Sequence, residues 1–239
     1  MDVVILCGGR GTRLQERTAE IPKPLVEIGG IPIVAHVMRL YAEQGLTSFV
    51  LATGYKGEQI ERFVAEHSRD AIGADAEVRC VDTGLDTPTG ERLARAARHT
   101  AGARFAATYA DGLADVDLQA LAGFHDDHGA LATMTVVRPE LQFGVTRLDE
   151  DGTVTGFQEK PRSEHWINGG FFVFERAVTE YLRPGSTLER EPLEGLAADR
   201  QLHAFRHDGF WECMDTYKDA VALNDLWAAG DAPWRTVHR

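Results

Sequence analysis

The first 24 residues carry the densest chemistry in the chain. An apolar run, 3–6, empties into Cys7, Gly8, Gly9, Arg10, Gly11, Thr12 and Arg13, and Lys23 follows between Pro22 and Pro24. Glycines let backbone N–H groups close on an anion with no Cβ in the way, while Arg13 and Lys23 add the positive charge that a triphosphate needs. The glycines alone read equally as an ordinary strand-to-helix turn; Thr12, Arg13 and the proline-flanked Lys23 tip the segment toward phosphate binding. Two common phosphate loops are excluded by counting. A dinucleotide fingerprint on Gly9 and Gly11 needs glycine at 14, and a P-loop on Gly8 needs Gly-Lys at 13 and 14; the chain has Arg13 and Leu14 there.

Four further groups have side chains suited to a site. Asp111, in YADGLADVD, follows an apolar run, and a carboxylate at the end of a sheet strand can hold Mg²⁺ against phosphate oxygens. It reads also as a turn or N-cap residue ahead of a helix near Asp117. Asp215, in FWECMDTYKD, is a second carboxylate of the kind a metal bridging two phosphates requires, or else an N-cap. Glu159 and Lys160, in GFQEKP, stand at a strand end where Pro161 breaks the ladder and lets both turn into a cleft; a surface ion pair is the alternative. In HWINGGFFVF, Asn168 offers a donor and an acceptor to sugar hydroxyls, and Gly169 and Gly170 allow close backbone approach; a strand-entry turn has the same composition.

Elements that would position these groups alternate along the chain. Strands are predicted over 3–6, 49–52, 78–81 and 105–109. Helices are predicted from Pro32, with Val34, Val37, Met38 and Tyr41 at helical spacing and Gly45 ending it, and over 58–66 and 91–99. That order is the pattern of a parallel α/β sheet. Beyond Leu131 the style shifts to strand 132–137, a turn at 149–152 between two strand-like runs, strand 171–174 and helices 188–198 and 216–229, which predicts hairpins and a mixed sheet. No linker or repeat separates the halves, about 1–130 and about 131–239, so a single domain over 1–239 is expected.

Composition narrows the function further. The 239 residues are 44% hydrophobic, enough for one substantial core, and the formal net charge of −12 argues against a broad nucleic-acid or membrane surface. An acidic protein that handles phosphates has to gather its basic groups locally and calls for a divalent cation. The opening MDVVILCGG is too short and too soon interrupted for a signal peptide, and no run long enough to span a membrane follows, so the cytoplasm is the expected compartment. Cys7, Cys80 and Cys213 lack paired metal spacing and read as core thiols; the nine histidines form no HExxH-type group.

LCGGRGTRL, IPKPLVEIGG, GYKG, VDTG, TGERL, YADGLADVD, QFGV, FQEKP, WINGGFFVF, EPLEGL and FWECMDT together resemble the sugar-1-phosphate nucleotidylyltransferase family, in its order of motifs and over nearly the whole chain. WINGGFFVF, EPLEGL and the tail GFW to MDT are similar to the cytidylyltransferase branch. The resemblance implies a Rossmann-like nucleotidyltransferase fold, with a mixed, mostly parallel sheet flanked by helices. It implies triphosphate on Gly8, Gly9, Gly11, Thr12, Arg13 and Lys23, with Arg13, Lys23 and Asp111 catalytic, and Gly90 near the base. Asp82, or a backbone carbonyl close to it, is the expected acceptor for the cytosine amine. Mg²⁺ is expected on Asp111 and Asp215, and sugar phosphate on Gly144, Glu159, Lys160, Asn168 and Gly169. The substrates so implied are CTP and glucose 1-phosphate, with another NTP or a related hexose or pseudo-sugar phosphate as runner-up, and the assembly a homo-oligomer. The chain departs from the family in a shorter segment between about 66 and 77 and in Ala110 and Glu91, where glycines are expected. Two readings of other classes stay open: a glycosyltransferase using Asp115 and Asp117 as a DxD pair, and a non-catalytic nucleotide-sugar sensor.

Overall fold

The computed structural model describes residues 1–11, 20–73 and 75–235. A seven-stranded sheet organises the chain, in the order β12-β8-β11-β6-β1-β4-β5. Its strands are β1 (Val3–Leu6), β4 (Ser48–Thr53), β5 (Glu77–Asp82), β6 (Arg104–Tyr109), β8 (Ala132–Val137), β11 (Ile167–Glu175) and β12 (Leu202–Arg206). Every strand but β11 runs in one direction; β11 is antiparallel to both its neighbours, β6 and β8. Two-stranded pieces surround the sheet: β2 (Glu27–Ile28) with β3 (Ile31–Pro32), β7 (Gly112–Ala114) with β13 (Trp211–Cys213), and a ribbon of β9 (Val145–Leu148) and β10 (Val154–Gln158). This is the α/β, mostly parallel but mixed architecture that the motif order implies.

The uninterrupted apolar runs follow from burial on both faces. Because successive side chains alternate, Val3, Ile5, Phe49, Leu51, Phe171 and Val173 enter one core, and Val4, Leu6, Val50, Ala52, Phe172 and Phe174 enter the other. The first core is covered by α1 (Ile33–Ala42), α2 (Gly57–Ile72), α4 (Leu118–His128) and α6 (Tyr217–Ala229). The second is covered by α3 (Thr89–Ala97) and α5 (Glu191–Ala198), through Leu93, Ala96, Leu193 and Leu196.

Helix ends depart from the sequence reading for local reasons. α2 runs to Ile72 rather than stopping at 66, because Ala71 and Ile72 reach the core beyond the polar 65–70 stretch. The α1 helix closes at Ala42, and Gly45, at φ +85°, ends the turn that follows. Thr89 starts α3 behind Pro88, earlier than expected, and α5 starts at Glu191 with proline in its first turn. The short strands β2, β3, β7 and β13 and the sheet-edge strand β12 have no counterpart in the sequence pattern; β12, LHAFR, is a half-exposed edge without a continuous apolar run.

The topology puts one crevice in the path of ligands. From β1 the chain moves outward through β4 and β5, then returns to the opposite side of β1 as β6. Loops leaving the C-terminal ends of β1 and β6 therefore diverge over the place where strand order reverses, where open α/β sheets bind ligands.

Candidate active site

Lys23 reaches that crevice from a 3₁₀ turn, Lys23–Leu25, fixed by Pro22 and Pro24 and closed by the Val26 N–H on the Lys23 carbonyl, 3.1 Å. Its Nζ donates to Asp111 Oδ2 at 2.5 Å and to Asp215 Oδ1 at 2.8 Å. Residues from three distant parts of the chain thus converge on one point. Burial by itself would lower the pKa of the ammonium, but the charges and hydrogen bonds of Asp111 and Asp215 together outweigh it and leave it raised. One cation between two carboxylates leaves a net negative cluster.

Neither aspartate is a helix cap. Asp117 caps α4, accepting from Ala120 N–H at 2.8 Å, and Thr216 caps α6 in a reciprocal capping box with Asp219. Asp111 is instead held at the β6–β7 junction, where its carbonyl accepts from Met214 N–H at 2.9 Å and ties the two carboxylate-bearing segments together. Cys213 lies in the same group: its Sγ and one oxygen of each aspartate all fall within 4.8 Å of one another. That corrects its reading as a core thiol, which does hold for the buried Cys7. Burial first, then the charges of Asp111 and Asp215, push the Cys213 thiol well up. Two carboxylate oxygens at this spacing suit a hard divalent cation, and the Lys23 ammonium already marks the spot as one that collects positive charge.

Next to this cluster opens a pocket of about 400 Å³, lined among others by Gly8, Gly9, Gly11, Lys23, Thr89 and Asp111. Gly8 packs directly on Arg92: a Cβ there would stand 1.8 Å from Nη1 and would displace the guanidinium. Gly9 has open space around it, and Gly11 adopts φ +61°. Thr12 and Arg13 lie outside the described residues. Arg92, buried in α3, is a pocket residue that motif reading passed over; it donates to the carbonyls of Thr53 (2.6 Å), Gly84 (3.1 Å) and Thr87 (2.9 Å) and to Thr83 Oγ1 (2.5 Å). It thereby braces residues 83–87 against the end of β4. Nothing in its sequence context, an arginine on a helix, distinguishes it from a solvated one.

Asp82 and Gly90 flank this segment rather than line the pocket. Asp82 is exposed and accepts from Gly84 N–H at 2.9 Å, a local turn. Gly90 packs on Ser186, its N–H donating to the Ser186 carbonyl at 3.0 Å, where a Cβ would stand 2.5 Å from Ser186 Oγ. On the far wall, Asn168 Nδ2 donates to Tyr109 Oη at 3.3 Å, Tyr109 Oη donates to Glu189, and Glu189 Oε2 accepts from Thr89 Oγ1 at 2.7 Å. Burial, then the Glu189 charge, hold the Tyr109 phenol far above its usual range. Asn168 also makes the strand-entry turn, its Oδ1 accepting from Gly170 N–H at 2.8 Å, while the Gly169 carbonyl accepts from Trp211 Nε1 at 2.8 Å.

Gly144, Glu159 and Lys160 sit elsewhere, at the base of the β9–β10 ribbon. A Cβ on Gly144 would come 2.4 Å from the Phe157 ring and 3.0 Å from Glu159 Oε2. Glu159 and Lys160 are both exposed, make no ion pair with each other and do not line the pocket. Of the DxD pair, Asp117 serves as a helix cap, while Asp115 Oδ1 lies 3.0 Å from His207 Nε2, whose hydrogen bond goes to the Phe210 carbonyl.

A Rossmann-like sheet with a glycine loop and a lysine between two aspartates at its switch point defines a nucleotidyl-transferring enzyme, and the chain belongs to the nucleotidyl transferase family, whose model matches residues 2–229. Within that family it is similar to the glucose-1-phosphate cytidylyltransferase of Salmonella typhi, at 43% identity over 99% of both chains. A mannose-1-phosphate guanyltransferase of Gibberella zeae is 32% identical over 93% of this chain and 63% of its own length. Among solved structures, HddC from Yersinia pseudotuberculosis superposes with a TM-score of 0.72 over 95% of this chain and 99% of that one, at 22% identity, a likeness of fold.

Proposed function

We propose that the protein transfers a cytidylyl group from CTP to glucose 1-phosphate, giving CDP-glucose and pyrophosphate. The convergence of Lys23, Asp111 and Asp215 beside the glycine-lined pocket carries this reading, together with the 43% identity to a glucose-1-phosphate cytidylyltransferase. A phosphate oxygen of the sugar substrate attacks the α-phosphorus of CTP in line. One new P–O bond forms as the bond to the leaving pyrophosphate breaks, with no covalent enzyme intermediate.

In this scheme the backbone N–H groups of Gly8, Gly9 and Gly11, with Thr12 and Arg13, hold the triphosphate. Lys23 leaves its carboxylate partners to meet charge building on the oxygens of the α-phosphorus. Asp111 and Asp215 would hold Mg²⁺, which when bound offsets the negative charge of the phosphates. The base lies against the 81–90 segment, whose residues 87–89 line the pocket, with Asp82 or a carbonyl near it as the acceptor and Gly90 close by. Asn168, steadied by Tyr109, reads a sugar hydroxyl, and Gly169 brings backbone close. The ribbon-borne Gly144, Glu159 and Lys160 complete the sugar-phosphate site from outside the pocket. One nucleotidyltransferase domain in the cytoplasm, acting as a homo-oligomer, accommodates these roles.

Pyrophosphate release measured with CTP, UTP, dTTP, ATP and GTP against a panel of sugar 1-phosphates tests the assignment. CTP with glucose 1-phosphate should lead. An acceptor in the 81–90 segment matched to the cytosine amine would face a carbonyl in UTP, so UTP should be the poorer substrate. Faster release with another nucleotide overturns the cytidylyl assignment and leaves the reaction class standing.

A further inference from the structure

A thiol beside two carboxylates changes which cations that cluster can hold. Oxygen ligands alone favour hard ions such as Mg²⁺, whereas a cysteine sulfur selects thiophilic ones. Cys213 comes to the aspartates by backbone geometry. The β13 strand delivers it opposite Gly112, Met214 N–H continues the pairing onto the Asp111 carbonyl, and Asp215 N–H folds back on the Cys213 carbonyl at 3.0 Å in a three-residue turn. The three potential ligand atoms lie within 4.8 Å of one another in half-buried positions, Asp111 also lines the pocket, and Lys23 Nζ shows that a positive group is drawn between the carboxylates.

We propose that Asp111, Cys213 and Asp215 form a three-ligand site for one thiophilic divalent cation, of the Zn²⁺ or Cd²⁺ class, which competes with the catalytic cation. The proposal rests on the reading of Asp111 and Asp215 as cation ligands. On binding, the metal–sulfur bond replaces the S–H bond, one proton leaves to solvent, and the Lys23 ammonium gives up its place between the carboxylates. Carboxylate oxygen and cysteine sulfur are each ligands that a four-coordinate thiophilic ion accepts, and three of them leave a single position open where an octahedral Mg²⁺ keeps several for substrate oxygens and water. Occupancy by such an ion therefore inhibits the enzyme.

Cadmium added to the purified full-length protein provides the test, followed by the thiolate-to-cadmium charge-transfer absorbance. A band saturating at one ion per chain is expected. It should vanish in Cys213→Ser, collapse in Asp215→Asn, and persist in Cys80→Ser, with circular dichroism confirming that each variant is folded. No band in the wild-type protein, or a band unaffected by Cys213→Ser or by Asp215→Asn, overturns the proposal. Excess Mg²⁺ should bleach the band. A band that needs both Cys213 and Asp215 but ignores Mg²⁺ overturns the competition proposed here, and activity that still requires Mg²⁺ then places the catalytic cation away from the two aspartates.

Discussion

Lys23 is where the chemistry of single residues concentrates. Its backbone is fixed by a proline-framed turn beside the glycine-lined pocket, which places a positive charge where negative charge builds, and preorganised donors of that kind matter most in the transition state. Lys23→Ala should lower turnover by roughly 10² to 10³, the range for losing one such donor. Wild-type turnover in a folded variant would take Lys23 out of the mechanism. The aspartates make a separate claim. Asp111→Asn combined with Asp215→Asn should abolish pyrophosphate release, as should thorough chelation, with activity returning to the wild-type protein alone when Mg²⁺ is restored. Release that survives either treatment would count against a cation held there.

Among the elements, α1 carries a titratable group whose protonation the fold resists. His36 is buried between β2 and the chain's end, its Nε2–H donating to the Ile28 carbonyl at 2.9 Å and its Nδ1 accepting from Trp234 Nε1 at 3.3 Å. Both ring nitrogens are satisfied in the neutral form, and a second proton would confront the Trp234 N–H. Burial lowers its pKa from 6.5 to about 4. Because the folded value lies below the unfolded one, this stabilisation is full above pH 6.5 and is lost as pH falls from there toward 4. At pH 5 the loss should be about 2 kcal/mol. Urea midpoints at pH 7 and pH 5 measure it, and His36→Gln, which can still donate to Ile28, should show a correspondingly smaller drop. An equal drop in both proteins would assign the acid sensitivity to other groups.

On the scale of the whole molecule, the β9–β10 ribbon is the conspicuous surface. Phe143 is 81% exposed and Phe157 63%, with Leu148 and Val154 also bare on both sides of a two-stranded piece. Such hairpins are marginal alone in water, and an apolar surface of this kind calls for a covering partner. A second copy of the chain is the occupant that the homo-oligomer reading supplies. Replacing Phe143 and Phe157 together with serine should shift the protein to monomers in light scattering while leaving the central sheet intact. An unchanged mass would place the contact on another face.

What the sequence determined by itself is what repeats locally or is spelled in contiguous residues. The 3–6 and 171–174 runs are legible as buried strands because both faces of the sheet are covered, and the glycine loop and the Pro-Lys-Pro turn are short-range backbone chemistry. The turn at 149–152 and the helix at 216–229 are legible for the same reason. Only the tertiary structure decided that Asp111 and Asp215 are partners of Lys23 rather than caps, since Lys23 is 88 and 192 positions away. It alone moved Cys213 from core thiol to the rim of the site and drew Arg92 under Gly8. The extension of α2 to Ile72 was likewise set by packing against the core, not by its own polar stretch. Local propensity is written in neighbouring residues, whereas the charge and burial felt by a side chain are fixed by whatever the sheet order brings beside it.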